Sequence, residues 1–166
     1  MKTMIVDDEP LAVEELADTC EQIEDVQIVG RFLHAAEALK YAEGHPVDLA
    51  FLDIEMPNIN GFSVAKALRE QPVSPLIVYV TAEEHYMAEA FGFHVIGFLV
   101  KSKLQEQLAG MIIKINEEIA YRQVTVETTQ GKISIRRDQI LMLSCFNRKV
   151  TLTLQGGINM NCADVF

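Results

Sequence analysis

At 166 residues, 49% of them apolar, the chain is long enough for one full domain with its own core plus a small appendage. No apolar run approaches the roughly 20 residues of a membrane span, and the start has no signal-peptide layout, so a membrane or secreted protein is not expected. The net charge of −10 is unevenly spread: residues 1–121 hold 8 Lys/Arg against 21 Asp/Glu, and residues 122–166 hold 6 against 3. An acidic body with a basic tail suggests two modules, the second facing an anionic partner, although a net of +3 over 45 residues is a modest signal.

Strand and helix patterns alternate from the start. Strands are predicted over 2–6, 26–32, 47–52, 76–80 and 97–100. The first helix begins near Pro10, a favoured first-turn residue, with Val13, Leu16, Ala17 and Cys20 as its apolar stripe. Further helices are predicted over 35–42, 61–70 and 84–91. A fifth carries Leu104, Leu108, Met111, Ile112, Ile115 and Ile119 at helical spacing. Five βα units imply a parallel sheet with helices on both faces.

After Tyr121 the period changes. Val124, Val126 and Thr128 alternate with polar residues, as do Ile133 and Ile135, then Ile140, Met142 and Ser144, then Val150, Leu152 and Leu154. Gly131 and Asn147-Arg148 supply turns, so this segment reads as antiparallel β with one buried face. Cys20, Cys145 and Cys162 are far apart with no CxxC, which favours buried, reduced thiols over a disulfide or zinc site. His34, His45, His85 and His94 are scattered and read as surface or satisfied residues rather than metal ligands.

The chemistry concentrates at strand ends. Asp7-Asp8 ends the run Met4-Ile5-Val6, and Asp53 ends the run 47–52. In a parallel sheet the C-terminal strand ends open onto the ligand crevice. Three carboxylates meeting there need a cation, and one of them could be a nucleophile.

The motifs VDD, LDIEMP, VYVTAE and FLVKS, in this order, resemble the receiver domain of two-component response regulators. Asp53, Thr81 and Lys101 are separated by 28 and 20 residues, each suited to one βα unit. The resemblance covers 1–121 and implies a flavodoxin-like fold with strand order 2-1-3-4-5. It makes Asp53 the phosphoacceptor, attacking phosphorus to form an acyl phosphate. It also implies Mg²⁺ held by Asp7, Asp8, Asp53 and the main-chain carbonyl of Glu55. Lys101 would pair with a phosphoryl oxygen, Thr81 would hydrogen-bond another, and Phe98 would be the aromatic switch. Motion of Thr81 would then repack the face formed by the fourth helix, fifth strand and fifth helix. Self-phosphorylation and autodephosphorylation are the only catalysis expected, with a sensor histidine kinase as phosphodonor and a cytoplasmic location.

Each residue also has a plainer reading. Asp8 could cap the first helix, Asp53 could form a turn before Pro57, Thr81 could be a β-branched strand end, and Phe98 could be core. An aspartyl-phosphate hydrolase of the haloacid dehalogenase type would need a second Asp two residues after the nucleophile, where this chain has Glu55. One departure from the receiver pattern is Lys101-Ser102, where the family usually has proline, often with a cis bond. A cis bond before serine costs about 2.5–4 kcal/mol, so trans is expected. Ser102-Lys103-Leu104-Gln105 would then be a capping box for the fifth helix.

Residues 122–166 resemble the first part of a LytTR-type DNA-binding domain, carried by the β pattern and Asp138-Gln139-Ile140. This implies a response regulator of the LytR/AlgR type, controlling transcription through DNA contacts of the complete C-terminal domain. Arg136, Arg137, Arg148 and Lys149 could contact phosphates, or be solvated strand-edge charges. A tail this short lies near the lower limit for folding alone, so packing against a second chain as a homodimer is expected. The alternative is a receiver signalling only through protein contacts, with the tail as dimerisation element.

Overall fold

A computed structural model describes residues 1–71, 73–88, 95–147 and 149–162. By internal contacts it divides into two units, Met1–Ile113 and Lys114–Phe166, with the division falling inside the last helix.

In the first unit β1 (Lys2–Val6), β2 (Gln27–Phe32), β3 (Leu49–Leu52), β4 (Leu76–Thr81) and β5 (Val95–Val100) form one sheet in the order β2-β1-β3-β4-β5. All its pairings are parallel. The helices are α1 (Pro10–Glu21), α2 (Ala35–Gly44), α3 (Gly61–Arg69) and α4 (Leu104–Arg122). This is the expected flavodoxin-like arrangement. Interior strands β3 and β4 are buried at every position, because helices cover both faces of a parallel sheet. The edge strand β2 is only partly buried.

Strand alternation sorts the core. Met4, Val6, Ala50, Leu52, Ile77 and Tyr79 pack with Ala38 of α2 and with Val64 and Leu68 of α3. Ile5, Phe51 and Val78, which alternate with them, are buried too. Fully burying a side chain such as Leu68 or Ile77 contributes about 1.5–3 kcal/mol. The predicted stripe of α1, Val13, Leu16, Ala17 and Cys20, is its buried face.

Two local expectations change. The segment predicted as a helix over 84–91 contains a 3₁₀ turn, Glu84–Ala88; 89–91 lie outside the described residues. His85 and Tyr86 are weaker helix formers than Ala or Leu, and their rings pack tilted against each other with centroids 4.1 Å apart. Ser102 does not cap α4. It sits inside a 3₁₀ turn, Lys101–Lys103, that leads into the helix, and Gln107 reaches back so that its side-chain oxygen accepts from the Val100 N–H at 3.2 Å.

The second unit is antiparallel, as its alternation predicts. β6 (Gln123–Thr128) pairs with β7 (Gly131–Arg136), and β8 (Ile140–Phe146), β9 (Lys149–Leu154) and β10 (Asn159–Asn161) form a sheet in the order β10-β9-β8. Ile135, Leu152 and Leu154 form its small core, with Val126, Ile133 and Ile140 packed against them. Met142 does not join this core, being 55% exposed. A bulge between Ile140 and Met142 inserts one residue, so Met142 pairs with Thr153 and faces away from Ile140.

Cys20 is the one buried cysteine of the three. Cys145, on the thin tail sheet, is exposed, Cys162 just past β10 is half-buried, and all three are free. His45 stacks on Tyr41 at 4.1 Å, His85 packs tilted against Tyr86, and His94 lies outside the described residues.

Candidate functional site

Sheet order places the carboxylates. β1 and β3 are neighbours in register, Val6 against Leu52, and the Asp53 N–H continues the ladder by donating to the Val6 carbonyl at 2.8 Å. Asp7 and Asp53 therefore leave the same sheet edge side by side, 4% exposed each. One carboxylate oxygen from each of Asp7, Asp8 and Asp53 lies within 4.8 Å of the others. Hard oxygen donors at this separation suit a small divalent cation.

Asp8 is not a helix cap. Glu9 occupies that position without a side-chain bond, while Asp7 Oδ1 accepts from the Glu9 N–H at 2.9 Å. Asp7 is thereby oriented by the backbone that starts α1, and Asp8 stays free of capping duty. Gly61, opening α3, lies so close behind the Asp53 loop that a Cβ there would sit 2.1 Å from the Asp53 carbonyl oxygen. Its N–H donates to the Ile54 carbonyl at 2.9 Å, so the loop carrying Asp53 is fixed from below by a residue with no side chain.

The opposite wall comes from β4 and β5, with Thr81 paired to Val100. Thr81 is 1% exposed, and its Oγ1 accepts from the Glu83 N–H at 3.4 Å. Lys101 follows β5 directly. Its Nζ lies 2.7 Å from Asp7 Oδ2, 2.9 Å from Glu9 Oε2 and 3.7 Å from Asp53 Oδ2. The Lys101–Ser102 bond is trans, since no cis bond occurs among the described residues. The lysine nevertheless reaches the carboxylates. Together Asp8, Glu9, Asp53, Glu55, Thr81, Ala82 and Lys101 line a cleft of about 130 Å³.

Burial and like charge dominate the electrostatics. Burial pushes the Asp53 carboxyl up to about 7; the neighbouring Asp7 adds to this, and Lys101 opposes it. Burial also raises Asp7, against the pull of its Lys101 hydrogen bond. Burial alone would lower Lys101, but its bonds to Asp7 and Glu9 and the Asp53 charge raise it. The lysine bond holds Glu9 below the ordinary glutamate range. Two carboxylates one strand apart thus carry a charge conflict that the ammonium relieves in part.

Sequence reasoning did not single out Glu9 or Tyr86. Glu9 follows Asp7-Asp8 and could have been flagged by adjacency. The Tyr86 hydroxyl donates to Glu55 Oε1 at 2.8 Å across 31 positions, a contact no local pattern signals. Phe98, the expected switch, is half-buried in β5 opposite Tyr79 and packs against the core that includes Tyr79.

Residues 3–113 match the response regulator receiver domain, and the chain belongs to this family. Among curated relatives, it is 30% identical over 143 residues to the transcriptional regulatory protein YpdB of Escherichia coli K12, covering 86% of this chain and 58% of that protein. The chain thus spans a little over half the length of that relative. Its fold superposes on the response regulatory domain of mrkE from Klebsiella pneumoniae with a TM-score of 0.61 at 29% identity, covering 70% of this chain and 99% of that one. It also resembles the response regulator TrrA from Thermotoga maritima in complex with Mg²⁺ and a beryllium fluoride, with a TM-score of 0.59 at 32% identity, covering 69% of this chain and 97% of that one.

In the second unit, the candidate phosphate-contacting arginines are engaged. Arg136 forms an ion pair with Asp138, and the Arg137 guanidinium stands 4.6 Å over the Tyr121 ring. Lys149 is exposed, and Arg148 lies outside the described residues. Among the described residues no helix is long and apolar enough to cross a membrane.

Proposed function

We propose that this chain carries the receiver of a transcriptional response regulator that accepts a phosphoryl group on Asp53 from a histidine kinase. The supporting observation is the geometry at the sheet edge: Asp53 within 4.8 Å of the Asp7 and Asp8 carboxylates, with Lys101 Nζ 3.7 Å from its Oδ2. Asp7, Asp8, Asp53 and the Glu55 main-chain carbonyl would hold Mg²⁺, which supplies positive charge beside the entering phosphoryl group. The likeness to TrrA, solved in complex with Mg²⁺ and beryllium fluoride, supports Mg²⁺ as the cation. Asp53 attacks phosphorus. Lys101 moves from Asp7 and Glu9 toward a phosphoryl oxygen, and the Thr81 hydroxyl donates to another. The Thr81 shift draws Phe98 inward, and the face made by the segment after β4, by β5 and by α4 changes shape.

Incubation with acetyl phosphate tests the site. The wild-type protein gains one phosphoryl group only when Mg²⁺ is present. Asp8→Ala loses that gain, together with the calorimetric heat of Mg²⁺ binding. Unchanged Mg²⁺ affinity in Asp8→Ala refutes the assignment.

Residues 1–121 are the receiver in this reading, and 122–166 are the N-terminal portion of a LytTR-like DNA-binding domain. YpdB's description as a transcriptional regulatory protein supports DNA as the output partner.

A second reading has a specific observation behind it. β8 ends its sheet and exposes Leu141, Leu143 and Phe146 at 63, 63 and 78%. Such an edge invites pairing with another chain, so the tail acts as a homodimerisation element. Light scattering on 1–166 should then give a dimer and on 1–121 a monomer. Two monomers at high concentration exclude this role.

A further inference from the structure

We propose that Tyr86 is a positioning residue for phosphoryl transfer: by its hydrogen bond to Glu55 it pins a negative charge at the mouth of the cleft. The inference rests on Asp53 being the acceptor. Two glutamates rim this cleft. Glu9 is neutralised by Lys101 at 2.9 Å. Glu55 lines the same cleft and, among the described residues, has no ion-pair partner; its contact is the Tyr86 hydroxyl at 2.8 Å. An exposed glutamate without a tether spreads over many rotamers. Tyr86 removes that freedom, because its own ring is held. It packs edge-on against Phe62 with centroids 6.1 Å apart and tilted against His85 at 4.1 Å, and Phe62 in turn packs on Tyr79 in β4. The segment after β4 therefore sets where the Glu55 charge sits relative to the entry path.

The reaction feels this charge. An Asp53 carboxylate oxygen forms a bond to phosphorus while the bond from phosphorus to the donor's leaving atom breaks, an oxygen in acetyl phosphate and an already protonated nitrogen, lost as ammonia, in phosphoramidate. With acetyl phosphate, acetate departs with the electron pair and no proton need move. The donor is a dianion approaching a carboxylate, so a fixed Glu55 slows its entry by like-charge repulsion. Letting Glu55 swing into solvent weakens that repulsion, and neutralising it removes it.

Kinetics with two donors and tyrosine emission test the proposal. At low salt, Tyr86→Phe should take phosphate from acetyl phosphate about threefold faster than wild type, a gain that shrinks as salt screens the charge. Glu55→Gln should gain at least as much, and the double variant no more than Glu55→Gln alone. With phosphoramidate, which carries one fewer negative charge, both gains should be smaller; a merely structural role would not separate the donors. The chain has no tryptophan and 4 tyrosines, so tyrosine emission is read directly. A carboxylate quenches the phenol it accepts from, so Glu55→Gln in metal-free protein should raise emission, and it should not do so in a Tyr86→Phe background. Labelled wild type with unchanged variant rates, additive gains, or equal gains with both donors overturns the proposal alone. A wild-type protein that takes no phosphoryl group overturns the acceptor reading and this proposal with it.

Discussion

Asp53→Asn is expected to lose phosphorylation by acetyl phosphate and Mg²⁺ by at least about a hundredfold, because an amide oxygen is too poor a nucleophile to replace a carboxylate. The substitution keeps the shape of a side chain that is 4% exposed, so the fold should persist. It also removes one of the two buried charges in conflict at the sheet edge. Loss of labelling therefore cannot be assigned to unfolding if the circular dichroism spectrum is unchanged. Other carboxylates line the cleft, Asp8, Glu9 and Glu55 among them. None of these follows the β3 strand end directly. Peptide mass mapping should find the phosphoryl group on Asp53 in wild type and on none of them in Asp53→Asn. Labelling of the variant at the wild-type level would sink the acceptor assignment.

The parallel sheet and the cluster of its candidate site residues were readable from sequence for one physical reason. Strands buried on both faces are continuous apolar runs, so Met4-Ile5-Val6 and Leu49-Ala50-Phe51-Leu52 marked their own ends and the carboxylates that follow them. Asp7, Asp8, Asp53, Thr81 and Lys101 do meet at one edge, through register rather than sequence proximity. What escaped was conformational detail set by tertiary contacts. Ser102 matched a capping box, but the chain enters α4 through a 3₁₀ turn with Gln107 reaching back. Met142 matched a buried alternation that one bulge reverses. Lys101 lies closest to Asp7 and Glu9, partners that no sequence pattern singled out for it. A cation among buried carboxylates goes where the negative charge is densest. That preference depends on three-dimensional spacing and leaves no one-dimensional pattern.

The same charge conflict predicts how stability changes with pH. Asp53 has its carboxyl raised from 3.8 to about 7 in the metal-free fold, first by burial and then by Asp7. The folded state therefore holds this proton more tightly than the unfolded chain. Below about pH 4 both states are protonated and the raised pKa costs nothing; as pH rises toward 7 the unfolded chain ionises freely while the fold resists, so stability falls and then levels off. Asp53→Asn has no such proton to lose. Its melting temperature should exceed that of wild type by more at about pH 8 than at about pH 5, with a difference on the order of 2 kcal/mol once Lys101 and neighbouring groups share the penalty. For a domain of this size that corresponds to roughly 5 °C. Saturating Mg²⁺ should shrink the gap, because a cation bound by the three aspartates favours the ionised wild type. Calorimetry of both proteins at the two pH values, with and without Mg²⁺, reads the effect directly. A gap that stays constant or narrows as pH rises would show that Asp53 is ionised throughout, and that the Lys101 ammonium neutralises the cluster without help from a metal.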